Sequence, residues 1–407
     1  MTEKFIQKRG KDRGTDELAQ TLNEYLCDIL GGKTLPSLSP GDAVLVLWRT
    51  TPRELARTIS LVLHCSLQIQ KKYRRRETDV GQEVQLKIGV SAGTMSLSIF
   101  GDRRRQHLCL FGQGVGEVNE AEELAGAGDI VLSATAWEVC EQHRLRTKHL
   151  AGQRAVKVER RFLPRFQGQP LLCNSSSSHA SSDHPPFLSS AAMRPALLLS
   201  SDPSAEKAYR KYIPAAALGK VWQVPLQLFS ELRPVTIIFI QLQLPADGST
   251  GSTSTILKTA SSVMLEILSP HKGKINKVLL CDKGCTFLCV LGLTGNKLPS
   301  ESIRALQCAL PALSLCSRAV SVAVTSGTTF CGVIGHPLRH EYTVIGQKVN
   351  LAARMMGHYP GLVSCDAVTY AASRLPPYYF RELPEREMKG ISQPGPVYQY
   401  MGITEEG

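Results

Sequence analysis

The chain has 407 residues, 43% hydrophobic and 20% charged, which is enough for two domains with full cores. Its net charge of +12 would suit a phosphorylated ligand, whereas the basic runs, such as Arg103 to Arg105, are short and lack interleaved aromatic residues. We therefore expect no nucleic-acid partner. No apolar run reaches the roughly 18 residues that span a bilayer, and the 12 cysteines form no CxxC pair. These features predict a soluble, cytoplasmic protein without a transmembrane segment, with association to other intracellular compartments left open.

The first part of the chain alternates between helical and strand patterns. Apolar spacing predicts helices over 15–31 and 52–72 on either side of a buried strand over 41–48. Pro36 and Pro40 exclude a normal central strand between them. Further along, the pattern predicts strands and then a helix: 84–92, 95–100, 109–112 and 118–125. This alternation is typical of the α+β class.

Residues 165–206 are rich in serine and proline, which predicts a linker. The linker divides the chain into a first domain, 1–164, and a second domain, 207–402. The second domain is predicted to begin with a β-prone run over 233–240 and a helix over 256–268. A hairpin with its turn at 282–284, a helix over 299–316 and strands over 319–334 follow.

The two domains repeat one another. Residues 335–354 match residues 101–120 without gaps, at an offset of 346 minus 112, or 234. Asn350 and Arg354 of the second copy stand opposite Gly116 and Glu120 of the first. Two copies of one fold, with polar groups kept in one copy only, predict a pseudo-symmetric pair of domains with a single composite site.

Candidate ligand-binding residues lie close to this repeat. Asn350 and Arg354 are four residues apart on a predicted helix, so both project from one face. A guanidinium fork suits a phosphoryl group and an amide suits a sugar hydroxyl, although ordinary solvated helix residues give the same pattern.

Three more residues extend the candidate site. Lys277 in the strand over 275–280 and Thr343 before the strand over 344–345 offer an ammonium donor and a hydroxyl acceptor, which complement adenine. Guanine presents the reverse pattern and would require a carboxylate. Asp42, at a Gly-Asp turn, is placed like a metal-holding carboxylate, and its counterpart in the second copy is Cys285.

The block over 340–354 resembles the second catalytic domain of class III nucleotidyl cyclases. Segments 231–239, 282–290 and 153–158 are similar to those of the bicarbonate-responsive soluble adenylyl cyclases of vertebrates. This resemblance implies two ferredoxin-like cyclase domains that form an intramolecular pseudo-dimer. It also implies conversion of ATP to 3',5'-cyclic AMP and pyrophosphate with two Mg²⁺ or Mn²⁺ ions, Ca²⁺ being a further candidate ion.

The resemblance assigns a role to each candidate residue. Asp42 is implied to bind metal, Lys277 and Thr343 to select adenine, Asn350 to orient the ribose, and Arg354 to stabilise the pentavalent phosphorus. Arg154 is implied to bind the activator bicarbonate in the degenerate second pocket, where a cation suits a small anion.

The chain departs from the family pattern at its start. It begins after the strand that carries the family's second metal-binding aspartate, so one of two metal ligands is expected to be missing. The alternative hypothesis is therefore a catalytically impaired or inactive cyclase homologue that binds a nucleotide or a partner. A guanylate cyclase is a third hypothesis, which Lys277 and Thr343 disfavour.

Overall fold

The computed structural model describes residues 20, 37–38, 44–73, 75–78, 81, 83–159, 203–218, 230–244, 250–281, 284–315, 319–336, 339–391 and 393–402. Asp42, nearly all of the predicted helix over 15–31 and most of the predicted linker lie outside these residues. The linker prediction overlaps one observed helix, since residues 203–206 are helical.

The first domain contains ten described strands and three α-helices. Its central sheet has the order β5-β8-β10-β9, with β5 and β8 parallel, and three separate pairs join β1 to β2, β3 to β4 and β6 to β7. The elements are β1 (Ser37–Leu38), β2 (Leu45–Val46), α1 (Leu55–Tyr73), β3 (Arg75–Glu77), β4 (Glu83–Gln85), β5 (Ile88–Val90), β6 (Ser96–Gly101), β7 (Gln106–Phe111), α2 (Gln113–Leu124), β8 (Ile130–Leu132), α3 (Ala134–Val139), β9 (Thr147–His149) and β10 (Val156–Val158), with 3₁₀ turns at 52–54 and 142–144.

Helix α1 closes the core of the first domain. Its buried residues Ile59, Val62 and Leu63 follow helical spacing and pack in one cluster with Leu132 and Val156 of the sheet. The predicted helix over 52–72 is thus confirmed. The predicted strand over 41–48 is reduced in the described residues to Leu45–Val46, which pairs only with the two-residue strand between the prolines.

The second domain has one large sheet with helices on both faces. The strand order is β12-β13-β11-β14-β16-β18-β17, and β15 pairs with the far end of β14. The elements are α4 (Pro203–Arg210), α5 (Ala215–Leu218), β11 (Glu231–Leu242), α6 (Thr250–Leu268), β12 (Lys274–Cys281), β13 (Gly284–Leu291), α7 (Glu301–Leu315), β14 (Ala319–His336), β15 (Arg339–Ile345), α8 (Gln347–His358), β16 (Val363–Asp366), α9 (Ala367–Ser373), β17 (Phe380–Glu382) and β18 (Val397–Tyr400), with 3₁₀ turns at 269–271 and 377–379.

Strand β11 shows why this sheet is apolar on both faces. Ile238 and Ile240 face a core shared with α6 and α7, whereas Ile237 and Phe239 face a core shared with α8. Successive side chains of a strand point to opposite faces, so a sheet covered on both sides needs a continuous apolar run. The strongly β-prone run that the sequence places here is therefore a central strand, and the predicted α+β class is confirmed.

The internal repeat is present in three dimensions. Gly112 and Gly346 directly follow β7 and β15, and each is the N-cap residue of a 12-residue helix, α2 or α8. The parallel pairing of β5 with β8 recurs as the parallel pairing of β14 with β16. The predicted duplication is confirmed over the elements that follow β5 and β14.

The β6–β7 hairpin joins the two domains. Phe100, Cys109 and Phe111 belong to the same buried apolar cluster as Phe287 of the second domain, and the rings of Phe100 and Phe287 lie 6.4 Å apart. At the hairpin tip, the Gln106 amide donates to the Lys211 carbonyl at 2.7 Å. The hairpin therefore places first-domain side chains inside the second domain's core.

His107 lies at this junction as a buried neutral imidazole. Its residue is 6% exposed and its ring stacks on Phe100 at a centroid distance of 6.0 Å. Burial, together with the charge of Arg105, lowers the pKa of His107 from 6.5 to about 3. Between these pH values the unfolded chain binds a proton that the folded chain does not, so acidification favours unfolding.

We expect the free energy of unfolding to fall by about 1.4 kcal/mol for each pH unit below 6.5 through this group alone. His107→Gln keeps a polar side chain without a titrating ring, so its unfolding free energy should fall less steeply between pH 6.5 and 5. Urea unfolding of both proteins across this range measures the two slopes. Equal slopes would show that His107 titrates normally.

Candidate functional site

A buried ion pair forms the centre of the candidate site. Lys277 Nζ of β12 lies 3.2 Å from Glu341 Oε1 of β15, and the two side chains are 5% and 31% exposed. Thr343 is two residues beyond Glu341 and fully buried, so both side chains share one face of the strand. Among the described residues, Glu341 Oε2 and Thr343 Oγ1 are buried without a hydrogen-bond partner. Unused acceptors beside an ammonium group are suited to a ligand that carries donors.

Two irregularities of the sheet bring these residues together. The register of β12 against β13 shifts between Ile275 and Lys277, and such a bulge re-aims the side chain that follows it. In addition, β14 continues beyond its pairing with β11, which ends at Cys331, and its last residues pair only with β15. The β14–β15 hairpin therefore extends past the main sheet and carries Glu341 to Lys277.

The phosphate-side residues lie on the helix that follows β15. Gly346 is the single residue between β15 and α8, so Thr343 and Asn350 are separated by one tight turn. Leu351 and Met355 bury one face of α8, while Asn350 and Arg354 are exposed on the other. The predicted shared face of Asn350 and Arg354 is confirmed, and it is open to solvent.

Glu341 is a residue that sequence reasoning missed. The block over 340–354 contains it two positions before Thr343, which on a strand is the same-face position. Its contact with Lys277 joins residues 64 positions apart through a bulge and an extended hairpin, which no local pattern records. Arg105 of the first domain is also near this carboxylate: burial lowers the pKa of Arg105 to about 10, and the charge of Glu341 opposes that shift.

Arg154 lies apart from this group. It sits in the turn between β9 and β10, its side chain is 84% exposed, and it donates to Glu138 Oε1 at 3.0 Å. An exposed pair of this kind is typical of a solvated surface. The placement lends no support to the bicarbonate role of Arg154, which stays a prediction.

The metal side of the site rests on Asp42, which is outside the described residues. Within the described ranges, no group of three His, Cys, Asp or Glu side chains is arranged to hold a metal ion. The role of Asp42 therefore also stays a prediction. None of the described helices is both long and apolar enough to cross a membrane.

Residues 39–163 match the family described as the adenylate and guanylate cyclase catalytic domain. This match covers most of the first domain and confirms the predicted resemblance to nucleotidyl cyclases.

Similarity to curated proteins extends over the whole chain. The chain is 40% identical over 424 aligned residues to adenylate cyclase type 10 of Mus musculus, and to the same degree to that of Homo sapiens. Each alignment covers 100% of this chain and 26% of the relative, so the chain spans about a quarter of the relatives' length. A solved structure, the adenylyl cyclase CyaB from P. aeruginosa, aligns at 18% identity with a TM-score of 0.36, over 43% of this chain and 97% of that chain.

The ion pair gives a prediction that does not depend on activity. Lys277→Met leaves the Glu341 carboxylate without its cation, so we expect the free energy of unfolding to fall by about 2 kcal/mol. The loss is not larger because the carboxylate is only half-buried and water can still solvate it. Urea unfolding measures the change, and Lys274→Met, at an exposed lysine of the same strand, is the matched control.

The double variant Lys277→Met/Glu341→Gln removes both charges and should recover most of the lost stability. An effect of Lys277→Met no larger than that of Lys274→Met would contradict a buried, stabilising pair.

Proposed function

We propose that this chain is an adenylate cyclase of the soluble, bicarbonate-regulated type, which converts ATP to 3',5'-cyclic AMP and pyrophosphate. The observation that carries the proposal is the buried polar cluster of Lys277, Glu341 and Thr343, from which one tight turn leads to the helix that bears Asn350 and Arg354. The 40% identity to adenylate cyclase type 10 over the whole chain supports the same reaction.

Adenine fits the donors and acceptors of this polar cluster. The ammonium of Lys277 donates to the ring nitrogen N1, and the unused Thr343 Oγ1 accepts from the exocyclic amine. Glu341 neutralises Lys277 before the nucleotide binds and limits the cost of burying this cation. One observation favours guanine instead: Glu341 Oε2 is an unused carboxylate acceptor of the kind that guanine requires.

Asn350 and Arg354 serve the sugar and the phosphates. The 3'-oxygen of the ribose forms a bond to the α-phosphorus and gives its proton to solvent water, while the bond from that phosphorus to the pyrophosphate oxygen breaks and pyrophosphate leaves. Asn350 holds the ribose in line, and Arg354 donates to oxygens whose negative charge grows in the transition state. Both side chains are exposed on α8, which leaves them accessible to a triphosphate.

The remaining components are proposed from the family resemblance. Two Mg²⁺ or Mn²⁺ ions, when bound, would activate the hydroxyl and neutralise phosphate charge. Asp42 of the first domain carries the hard oxygen ligand that such ions prefer. The first domain also supplies the proposed degenerate pocket, in which bicarbonate would be an activator held by Arg154. The composite site thus requires the two domains to stay paired, and the β6–β7 contact supports that pairing.

The direct test is an assay of the purified chain with ATP or GTP, with Mg²⁺ or Mn²⁺, and with or without bicarbonate. We expect cyclic AMP from ATP at a rate about tenfold or more above cyclic GTP formation. Bicarbonate should raise the rate. Preferred use of GTP would contradict the adenine assignment. Nucleotide binding without any cyclic product would support the alternative, a catalytically inactive homologue.

Arg354→Ala tests the phosphate side. We expect kcat to fall by about 10² to 10³ with a KM for ATP changed less than about threefold, because the contact strengthens in the transition state. Initial rates over a range of ATP concentrations separate the two constants, and Arg386→Ala, at an exposed arginine between β17 and β18, is the control. A rise in KM at constant kcat would assign Arg354 to ground-state binding alone.

A further inference from the structure

A second buried ion pair lies beneath the start of α8. Lys348, the second residue of this helix, donates through Nζ to Asp366 Oδ2 at 2.6 Å, and the Asp366 side chain is 2% exposed. The opening glycine of α8 provides no side-chain cap. A lysine is unfavourable in the first turn because its charge opposes the helix dipole. Since a buried ion pair adds little net stability over apolar packing, stability alone does not explain this arrangement.

Two contacts of Lys348 hold the first turn of α8 to the sheet: the ion pair of its ammonium group and a hydrogen bond to its backbone carbonyl. Thr325 Oγ1 of β14 donates to the Lys348 carbonyl at 2.8 Å. The stem of Lys348 passes over Gly327, where an added Cβ would meet Lys348 Cε at 2.9 Å. With its backbone and its ammonium both held, Lys348 has little freedom to let the helix slide or rotate.

Asp366 is itself fixed from several sides. Its Oδ1 accepts from the Thr369 amide at 2.9 Å and from the Thr369 hydroxyl at 2.5 Å, which caps α9. Ser326 Oγ lies 3.0 Å from the hydroxyls of Thr369, Thr236 and Ser302, so the network reaches β11 and α7. A carboxylate held in this way is a rigid anchor for Lys348.

The internal repeat provides a comparison within the same chain. In the first copy, Ser91 Oγ donates to the Gly114 carbonyl at 2.5 Å, as Thr325 does to Lys348. The ion pair is absent there, because Gly114 stands in place of Lys348 and Ser133 caps α3 in place of Asp366. Side-chain capping at this position therefore needs no charge.

The side chain of Met95 fills the corresponding place in the first copy, since a Cβ at Gly114 would lie 2.5 Å from Met95 Cε, the movable end of that side chain. The copy without the pair is also the copy with Gly116 and Glu120 in place of Asn350 and Arg354. Both copies have the fold, but the ion pair is present only in the copy that has the phosphate-side residues Asn350 and Arg354.

We propose that Lys348, through its ion pair with Asp366, is a positioning residue that fixes the first turn of α8 and so places Asn350 and Arg354 for the reaction. The proposal rests on the proposed cyclase function. Lys348 contacts no substrate in this scheme: it acts through the helix, because small displacements of a catalytic group lower the rate far more than they weaken binding.

The experiment compares Lys348→Met with Lys157→Met, which removes a half-buried lysine from its 2.8 Å pair with Asp129 in the first domain. In Lys348→Met, we expect kcat to fall about tenfold or more while KM for ATP changes less than about threefold. Hydrogen exchange of the amides over 347–358 should be faster in this variant, and both measurements should be unchanged in Lys157→Met.

Two further variants separate positioning from a general loss of folding. Lys348→Arg keeps the charge and should restore most of kcat. Asp366→Asn keeps an oxygen for the α9 cap and should lower kcat as much as Lys348→Met does. The double variant Lys348→Met/Asp366→Asn should have the same kcat as either single variant, since both substitutions break the same interaction.

Unchanged hydrogen exchange over α8 in Lys348→Met would overturn the proposal. So would faster exchange in Lys348→Met if its kcat and KM were the same as those of the Lys157→Met control. If the unsubstituted chain forms no cyclic AMP, the proposed function fails, and the exchange measurement still decides whether the ion pair fixes α8.

Discussion

The apolar contact of the β6–β7 hairpin with the second domain is the constraint on which the rest of the structure depends. Phe100 and Phe111 lie on this hairpin of the first domain and pack in the second domain's core with Phe287. Removing such rings from water contributes a few kcal/mol each, which is comparable to the whole stability margin of a domain. The contact makes the two copies unequal: one contributes a hairpin to the core of the other, and the polar residues of the second copy lie at that junction.

Charge at the junction is arranged around one carboxylate. Glu341 is paired with Lys277 and lies near the half-buried guanidinium of Arg105, so residues from both domains set the electrostatics around the proposed base-binding residues. In a medium of low polarity such interactions are stronger than at the surface, and each unmatched charge is costly. The neutral His107 fits this balance, because another cation beside Arg105 would add to the local positive charge.

The sequence predicted much of the fold and part of the site. Helix α1, the run that forms β11 and the repeat of α2 in α8 were predictable, because apolar periodicity and identical glycine positions are local signals. The exposed shared face of Asn350 and Arg354 followed from helical spacing. Glu341 and Lys348 were not predicted, because their partners, Lys277 and Asp366, lie in other elements, and bulges and strand extension are absent from any local pattern.

The sequence by itself therefore determined the α+β class, the duplication and the chemical types of the candidate residues, since these depend on periodicity and composition. Only the tertiary structure decided which residues meet. A β-bulge and a hairpin that extends beyond the main sheet bring Glu341 into contact with Lys277. Arg154 lies on the surface beside Glu138, and Lys348 is paired with the buried carboxylate of Asp366. The physical reason is that contact and burial depend on how distant strands and helices pack, and desolvation then determines which charges must be paired.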